Sequence, residues 1–130
     1  MIFGTMFLQN DALGLAMAAA EKRDGVIANN IANADTPGFK KSGVTFEEYF
    51  AKALGEEGGR ITARNASKAL SARPEIYTEY GSYEYRIDGN NVDIESEMTE
   101  LYKNGARYDT LVSGVVNNYK RLNLAITGIR

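Results

Sequence analysis

Residues 94–129, IESEMTELYKNGARYDTLVSGVVNNYKRLNLAITGI, contain the pattern that decides the fold. Alternating steps of four and three from Ile94 meet an apolar or aromatic side chain at every position except Gly105, with mostly polar residues between. Such spacing over about five heptads is typical of a coiled-coil seam. At a rise of about 1.5 Å per residue the segment would be roughly 50 Å long, so it needs a long partner. The seam positions are Ile94, Met98, Leu101, Gly105, Tyr108, Val112, Val115, Tyr119, Leu122, Ile126 and Ile129.

The other end of the chain carries a matching seam. Thr5 is a suitable N-cap for its helix, and Asn10 or Asp11 could cap a later start. Thr36-Pro37-Gly38 would end the helix, because proline disfavours the helical conformation at the preceding residue and glycine allows a turn. Asn10 and Asp24 are polar seam positions of the kind that select register and partner, and the alternative for Asp24 is that it points to solvent on a slightly rotated helix. The pattern leaves open whether the seams pair within one chain, as a plain antiparallel helix pair, or between subunits. The steps run through Met6, Asn10, Leu13, Met17, Ala20, Asp24, Ile27 and Ile31.

Composition excludes several classes of function. The chain has 130 residues, 15 basic and 17 acidic, so it lacks the basic face of a nucleic-acid binder. It has no Cys and no His, which removes thiol nucleophiles, the commonest general base and the usual zinc ligands, and we expect no cofactor. The longest apolar run, residues 12–20, is too short to span a bilayer. The first basic residue is Lys22, so we expect no cleaved signal peptide and no membrane insertion.

Some residues in the two helical patterns weaken an isolated helix. Each interior glycine costs about 1 kcal/mol relative to alanine. Such glycines either allow close helix approach or keep the helices weak until assembly, and they are Gly14, Gly25, Gly105 and Gly114. Three amides near the end of the first helix suit a polar ladder between packed copies, and they are Asn29, Asn30 and Asn33.

The middle of the chain predicts short elements. Lys40 to Gly43 is read as a loop, and Thr45-Phe46-Glu47-Glu48 as a capping box with Thr45 as the cap. A short helix would follow and end at Gly58-Gly59, and residues 60–73 predict a loop with a helical turn. The face of the short helix would comprise Phe46, Tyr49, Phe50, Ala53 and Leu54.

From Ile76 the apolar period changes to two. Residues 76–80 and 83–87 flank Gly81-Ser82, which suits a two-residue hairpin turn. Residues 88–91, DGNN, then predict a turn, and Asp93 is expected to cap the long helix. Tyrosines at 77, 80, 83 and 85 near Glu75, Glu79 and Glu84 could form a sugar platform with paired carboxylates. Exposed carboxylates on strands are far more often simply solvated, so the two seams outweigh this signal.

Two stretches resemble one protein family. Residues 28–39, ANNIANADTPGF, resemble the N-terminal signature of the bacterial flagellar rod, hook and hook-associated proteins. Residues 88–98, DGNNVDIESEM, are similar to the C-terminal signature of the proximal rod proteins of that family, which comprise two sibling types. The resemblance covers the whole chain, specifically at both ends and loosely in the middle.

The resemblance implies a non-enzymatic structural subunit. Members of the family are exported by the flagellar type III apparatus without a cleaved signal and assemble into the rod that crosses the periplasm. The implied partners are other copies of the chain, other rod proteins, the basal ring and the export gate, with no nucleic acid and no small-molecule substrate. The implied tube transmits torque and forms part of the export channel. A small secreted helical-hairpin binding module is the alternative from another class.

We therefore predict a mainly α fold with long terminal helices forming a coiled-coil pair and a small irregular or β-hairpin segment between them. The predicted division is 1–38 for the N-terminal helix and turn, 39–91 for an outer segment and 92–130 for the C-terminal helix. The expected assembly interface comprises Leu13, Met17, Ile27, Asn30, Ile31, Asn33, Ile94, Met98, Leu101, Tyr108, Val112, Val115, Tyr119, Leu122 and Ile126.

Overall fold

The computed structural model describes residues 2–55, 68–80 and 87–128. Two long helices enclose a small two-stranded segment in sequence order, which confirms the predicted fold class. The elements are α1 (Ile2–Ala32), β1 (Ser42–Thr45), α2 (Glu47–Gly55), β2 (Glu75–Thr78) and α3 (Ile94–Thr127).

Helix α1 is longer at its start than the sequence predicted. It begins at Ile2, so the prediction that Thr5 caps it is wrong. It ends at Ala32 and passes into turns over residues 33–38. Gly38 has a φ of +71°, a conformation that glycine adopts without steric cost, and its N–H donates to the Asp88 carbonyl oxygen at 2.9 Å. The predicted end of the first helix is therefore confirmed.

Helix α3 starts where the sequence places it. Asp93 is the N-cap, in an extended conformation, and its carboxylate accepts from the Glu95 N–H at 3.1 Å. The helix runs unbroken to Thr127 and is followed by Gly128 at a φ of +71°. The last seam position, Ile129, lies outside the described residues.

The two long helices pack against each other as an antiparallel hairpin within one chain. Three polar contacts set the register: Asn10 with Asn118, Asp24 with Asn104, and Asn30 with Glu97. Leu13 lies on the same register, since a Cβ added at Gly114 would stand 3.5 Å from its Cδ1. The sequence left open whether the seams pair within or between chains, and the structure shows a pairing within the chain.

The sheet pairs strands that are distant in sequence. β1 runs antiparallel to β2, with Ser42 opposite Thr78 and Thr45 opposite Glu75. The prediction of a loop over Lys40 to Gly43 is thus wrong at its last two residues. Among the described residues, the strand that pairs with β2 is β1. Residues 81–86 lie outside the described part of the chain, and Ile87 belongs to a turn.

Side chains on neighbouring elements explain why β1 forms. The Asn30 amide accepts from the Ser42 N–H at 2.9 Å and donates to the Ser42 carbonyl oxygen at 2.8 Å, so it fixes the start of the strand on α1. A Cβ at Gly43 would lie 2.6 Å from the ring of Tyr77, its cross-strand partner. Glycine is therefore needed there for the tyrosine ring to lie across the strand.

Helix α2 begins one residue later than predicted, for a related reason. The Thr45 hydroxyl donates to the Glu75 carbonyl oxygen at 3.4 Å as part of β1, so the predicted capping box is wrong. Phe46 is buried and its ring stacks on Phe50 at a centroid distance of 5.3 Å. Gly58-Gly59 lies outside the described residues, while residues 68–70 form a helical turn as predicted.

Candidate assembly interface

Two columns of side chains on α3 face α1, and one of them is largely polar. Both columns repeat every seven residues. The first comprises Glu97, Asn104, Leu111 and Asn118, and the second comprises Leu101, Tyr108, Val115 and Leu122. Glu97 and Asn104 are buried, and the other six are half-buried.

The predicted seam of α3 was therefore correct in one column and displaced in the other. It shared Leu101, Tyr108, Val115 and Leu122 with the inward face, but its remaining column is exposed except at Val112, which is half-buried. Met98, Gly105, Tyr119 and Ile126 in that column are exposed. The helix is turned so that amides and a carboxylate occupy positions where the apolar pattern alone would place Met98 and Tyr119.

Asn104 forms the central polar contact of the hairpin. Its side chain is 0 % exposed and its Nδ2 donates to the Ala20 carbonyl oxygen and to Asp24 Oδ1, both at 2.7 Å. Its Oδ1 accepts from Arg23 at 3.1 Å. The same guanidinium donates to both carboxylate oxygens of Glu47, at 2.6 and 2.5 Å, so one arginine joins all three helices.

The other buried contacts extend this network along the hairpin. Asn30 is 1 % exposed and donates to Glu97 Oε2 at 2.9 Å, in addition to its bonds to Ser42. Near the other end, Asn118 donates to Asn10 Oδ1 at 2.9 Å. Asn10 and Asp24 thus lie in the seam and face α3, as predicted, and their role in selecting the register stays a prediction.

The two motif stretches of the sequence meet in space. Asn90 is 0 % exposed, and its Nδ2 donates to the carbonyl oxygens of Asn33, Ala34 and Thr36 at 3.0, 2.9 and 2.9 Å. Its Oδ1 accepts from the Val92 N–H at 2.7 Å. This amide clamp holds the end of α1 against the segment that leads into α3.

Asn91 extends the clamp to the sheet. Its Oδ1 accepts from the Lys41 N–H at 2.7 Å, and its Nδ2 donates to the Glu79 carbonyl oxygen at 3.2 Å. Consecutive asparagines therefore bind the backbone at the end of α1 and at the ends of both strands. Within the described residues, no buried side-chain nitrogen or oxygen lacks a hydrogen-bond partner. A satisfied network of this kind selects one register, because any slip would leave buried amides unpaired.

The structure divides the predicted interface into three groups by exposure. Ile27 and Asn30 are buried inside the subunit, and both ends of the Asn30 amide are bonded within the chain. The half-buried residues lie along the hairpin: Leu13, Met17, Ile31, Asn33, Leu101, Tyr108, Val112, Val115 and Leu122. The exposed residues are Ile94, Met98, Tyr119 and Ile126.

Three of the exposed residues, Met98, Tyr119 and Ile126, lie in an apolar flank of α3. We define this flank as Met98, Tyr102, Val112, Val116, Tyr119 and Ile126, of which Val112 is half-buried and the others are exposed. Tyr102 is 73 % exposed, Tyr119 is 57 % exposed and Ile126 is 72 % exposed. Large exposed apolar surfaces, such as this flank from Met98 to Ile126, mark contact surfaces in proteins.

On the other side of α3 lies an open groove of about 660 Å³ between the three helices. Its apolar floor includes Phe46, Phe50 and Leu111, and Arg107 stands at its rim. Lys103, also at the rim, donates to Glu100 at 2.7 Å, and this hydrogen bond lowers the pKa of that carboxyl. Within the described residues no acidic cluster could hold a metal ion, and none of the helices is apolar over a bilayer-spanning length.

Sequence reasoning missed four residues that carry the network: Asn90, Asn91, Glu97 and Asn104. A signal for two of them was present, because Glu97, Asn104, Leu111 and Asn118 repeat every seven residues. That repeat was less visible than the apolar column beside it. Asn90 and Asn91 were read only as turn formers, since nothing in their local sequence shows what their amides reach.

The buried polar groups of this helical hairpin bond to each other and fix its register. This arrangement is typical of a structural protein. Comparison with known proteins specifies the class further. Residues 12–40 match the family described as Flagella basal body rod protein.

Relatives cover most of the chain. It is 33 % identical over 118 residues to the flagellar basal body rod protein FlgB of Bacillus subtilis, covering 87 % of this chain and 88 % of that protein. FlgB of Borrelia hermsii is 37 % identical over 115 residues, with 80 % and 84 % covered, and FlgB of Aeromonas hydrophila is 32 % identical over 116 residues, with 87 % and 88 % covered. The chain belongs to the FlgB family of flagellar basal body rod proteins and is a structural subunit of the rod. This result supports the FlgB type over its sibling, the FlgC type.

Proposed function

We propose that the chain is a non-enzymatic subunit of the proximal rod that assembles through the exposed sides of its helical hairpin. In this proposal it is exported without a cleaved signal peptide and assembles in the periplasm. Its partners are further copies of itself, other rod proteins, the basal ring and the export gate. The resulting tube transmits torque and lines part of the export channel.

The apolar flank of α3 is the observation that carries this proposal. The hairpin uses its polar column for contacts within the subunit and leaves Tyr102, Tyr119 and Ile126 in solvent. Burial of such side chains is favourable at about 25 cal/mol per Å². A subunit that keeps two tyrosines and an isoleucine of α3 exposed has a surface available for association.

The proposal assigns the predicted interface residues to two roles. Ile27 and Asn30 stabilise the hairpin itself, since both are buried there. The exposed residues, together with half-buried neighbours such as Val112, contact other subunits. The outer segment, residues 39–91, is proposed to adjust lateral contacts, and the terminal segments 1–38 and 92–130 carry assembly.

The test replaces Tyr119 with aspartate in a flagellated host whose own rod gene is deleted. The exposed part of this tyrosine is roughly 100 Å², so loss of its burial costs about 2.5 kcal/mol per contact, and a buried carboxylate adds to that. We expect Tyr119→Asp to lose incorporation into purified basal bodies and to abolish motility. The fold of the subunit should persist, because position 119 is outside the hairpin seam.

Asn117→Asp is the matched control. Asn117 is exposed on α3, two residues from Tyr119, and points away from both the flank and the hairpin seam. We expect normal incorporation for this control. Normal incorporation of Tyr119→Asp would contradict the assembly role of the flank. Leu122→Asp should also abolish incorporation, but Leu122 lies in the inward column, so that variant tests the hairpin as well.

Sedimentation of the isolated chain separates the rod subunit from the alternative, a helical-hairpin binding module. A monomer over a wide range of concentration fits a subunit that assembles only on the growing rod. A defined dimer at all concentrations would favour the module.

A further inference from the structure

The sequence contains one Asn-Gly pair, Asn104-Gly105, and it lies in the middle of α3. Asparagine before glycine is the pair that most readily loses its side-chain amide, because glycine lets the following backbone nitrogen approach the side-chain carbon. In that reaction the Gly105 nitrogen gives up its proton and bonds to Asn104 Cγ, and the side-chain nitrogen leaves as ammonia. Water then opens the resulting succinimide ring at either carbonyl, which leaves aspartate or isoaspartate at position 104.

The folded hairpin engages both groups that this reaction needs. The Asn104 side chain is 0 % exposed, and its Nδ2 donates to the Ala20 carbonyl oxygen and to Asp24 Oδ1, both at 2.7 Å. Its Oδ1 accepts from Arg23 at 3.1 Å, so the amide is held against α1 at both ends. The Gly105 N–H lies inside α3, where the helical ladder directs it to the carbonyl four residues back. Ring closure therefore requires that the hairpin and this turn of α3 open first.

The products of the reaction do not fit the seam. Aspartate at position 104 has an oxygen in place of Nδ2, and that oxygen would face the Asp24 carboxylate and the Ala20 carbonyl oxygen without a proton to donate. Buried acceptors and like charges placed together are strongly unfavourable. Arg23 offers little relief, because its guanidinium already donates to both carboxylate oxygens of Glu47. Isoaspartate adds a methylene group to the main chain, which shifts the rest of α3 out of register with α1.

Packing within the subunit does not require the glycine of this pair. Gly105 is exposed, and a Cβ added there would meet nothing within 4 Å. The glycine costs about 1 kcal/mol of helix stability relative to alanine. Alanine would keep the fold and slow ring closure, because its methyl group hinders the approach of the nitrogen. The pair therefore has a chemical property that the contacts of the folded chain do not account for.

We propose that Asn104-Gly105 is a deamidation site that folding protects and that prevents the hairpin from closing once it has reacted. The reaction is confined to chains that have not folded, and each chain that reacts is lost to the pairing of α1 with α3. Deamidation thus limits the time for which an unfolded chain remains able to form a subunit. This role goes beyond the proposed function, since it depends only on the contacts of Asn104.

Incubation of the purified full-length chain in mildly alkaline buffer, with and without urea, tests the protection. Peptide mass spectrometry measures the conversion of amide to acid at Asn104, and chromatography separates the aspartate from the isoaspartate peptide. We expect conversion to be at least about tenfold slower without urea, because it requires local opening of the folded chain. Asn123 is the internal comparison, since it is exposed on α3 and precedes leucine, and it should react slowly in both buffers.

Gly105→Ala is the matched variant for the effect on the fold. After long incubation in urea and refolding, the original chain should unfold at a lower urea concentration than a fresh sample, as Asn104→Asp should without incubation. Gly105→Ala treated in parallel should stay largely unconverted at Asn104 and should keep its unfolding midpoint.

Each step has an outcome that overturns it. Equal conversion at Asn104 with and without urea, or no conversion in urea, would overturn the protected site. A converted chain that refolds with the midpoint of a fresh sample would overturn the effect on the hairpin. An equal loss of midpoint in Gly105→Ala would assign the damage to other residues and overturn it as well. None of these outcomes bears on the proposed function, whose readout is the incorporation of Tyr119→Asp.

Discussion

Replacement of Asn90 tests whether the amide clamp holds the two ends of the subunit together. Among the contacts of the described residues, Asn90 is the only side chain that donates to three carbonyl oxygens at the end of α1. The change to aspartate keeps the shape of the side chain. It replaces the donating Nδ2 with an oxygen, so a carboxylate then faces three acceptors in a site without solvent.

The magnitude follows from the lost contacts. Each hydrogen bond contributes about 1 kcal/mol net, and each buried acceptor left without a partner costs about 1–3 kcal/mol more. Because the amide has two protons for three carbonyls, we expect Asn90→Ala to lower the free energy of unfolding by about 3 kcal/mol. Asn90→Asp should cost about 4 to 5 kcal/mol at neutral pH, since burial of a charge adds to the loss. Domains of this size are stable by only about 5–15 kcal/mol.

Urea unfolding followed by far-UV circular dichroism measures this difference. Thermal unfolding should show a fall in Tm of roughly 15 °C for Asn90→Asp. The loss should shrink at acidic pH, because the introduced carboxyl then carries a proton and can donate to one carbonyl. Asn117→Asp, an exposed position with the same chemical change, is the control and should alter the free energy of unfolding by less than about 0.5 kcal/mol.

A loss for Asn90→Asp within about 1 kcal/mol of that control would refute the clamp. It would mean that water reaches the three carbonyls in the folded chain. The junction between α1 and α3 would then depend on its other contacts, such as the backbone bond from Gly38 to Asp88 and the bond from Lys40 to the Gly89 carbonyl oxygen.

Three further outcomes follow from the same structure. Asn104→Ala should lower the free energy of unfolding by about 2–3 kcal/mol in urea titrations, because the Asp24 carboxylate loses its donor in the seam, and an unchanged midpoint would count against a buried contact. Gly105→Ala should raise stability by about 1 kcal/mol in the same assay, since a Cβ there meets only open space, and a destabilised variant would disprove that geometry. The bond from Lys103 lowers the pKa of Glu100, so its small contribution, under about 0.5 kcal/mol, is present above the ordinary pKa of glutamate and disappears as pH falls through the lowered pKa. Lys103→Met should reduce this pH dependence in urea titrations at acidic pH, while Arg107 and Arg23 retain part of it.

Much of the architecture could be predicted because it depends on local periodicity. The 3-4 spacing gives two long helices, Asp93 caps the second, and the residues from Asn33 to Gly38 end the first. These features depend on side chains within a turn or two of each other, so a single sequence contains them. The polar seam positions Asn10 and Asp24 were likewise readable, since each interrupts an apolar stripe.

The sheet could not be predicted in the same way. β1 is a four-residue strand whose partner is about thirty residues away, and its first residue is fixed by Asn30 on another element. The predicted hairpin around Gly81-Ser82 falls on residues 81–86, outside the described part of the chain, and stays a prediction. A side chain twelve residues away binds both backbone groups of Ser42 and so holds the start of β1, and local sequence does not contain that information.

The face that α3 turns toward α1 also depends on tertiary contacts, although the helix itself could be predicted. Local sequence is enough to predict that residues 94–127 form one amphipathic helix and that residues 28–39 and 88–98 mark the family. Apolar periodicity, however, cannot distinguish two adjacent columns on one helix when one contains Met98 and Tyr119 and the other contains Asn104 and Asn118. Only the tertiary structure decided that the polar column faces inward, because only the facing helix supplies the groups that satisfy buried amides. The same choice leaves the apolar column outside, where another subunit can cover it.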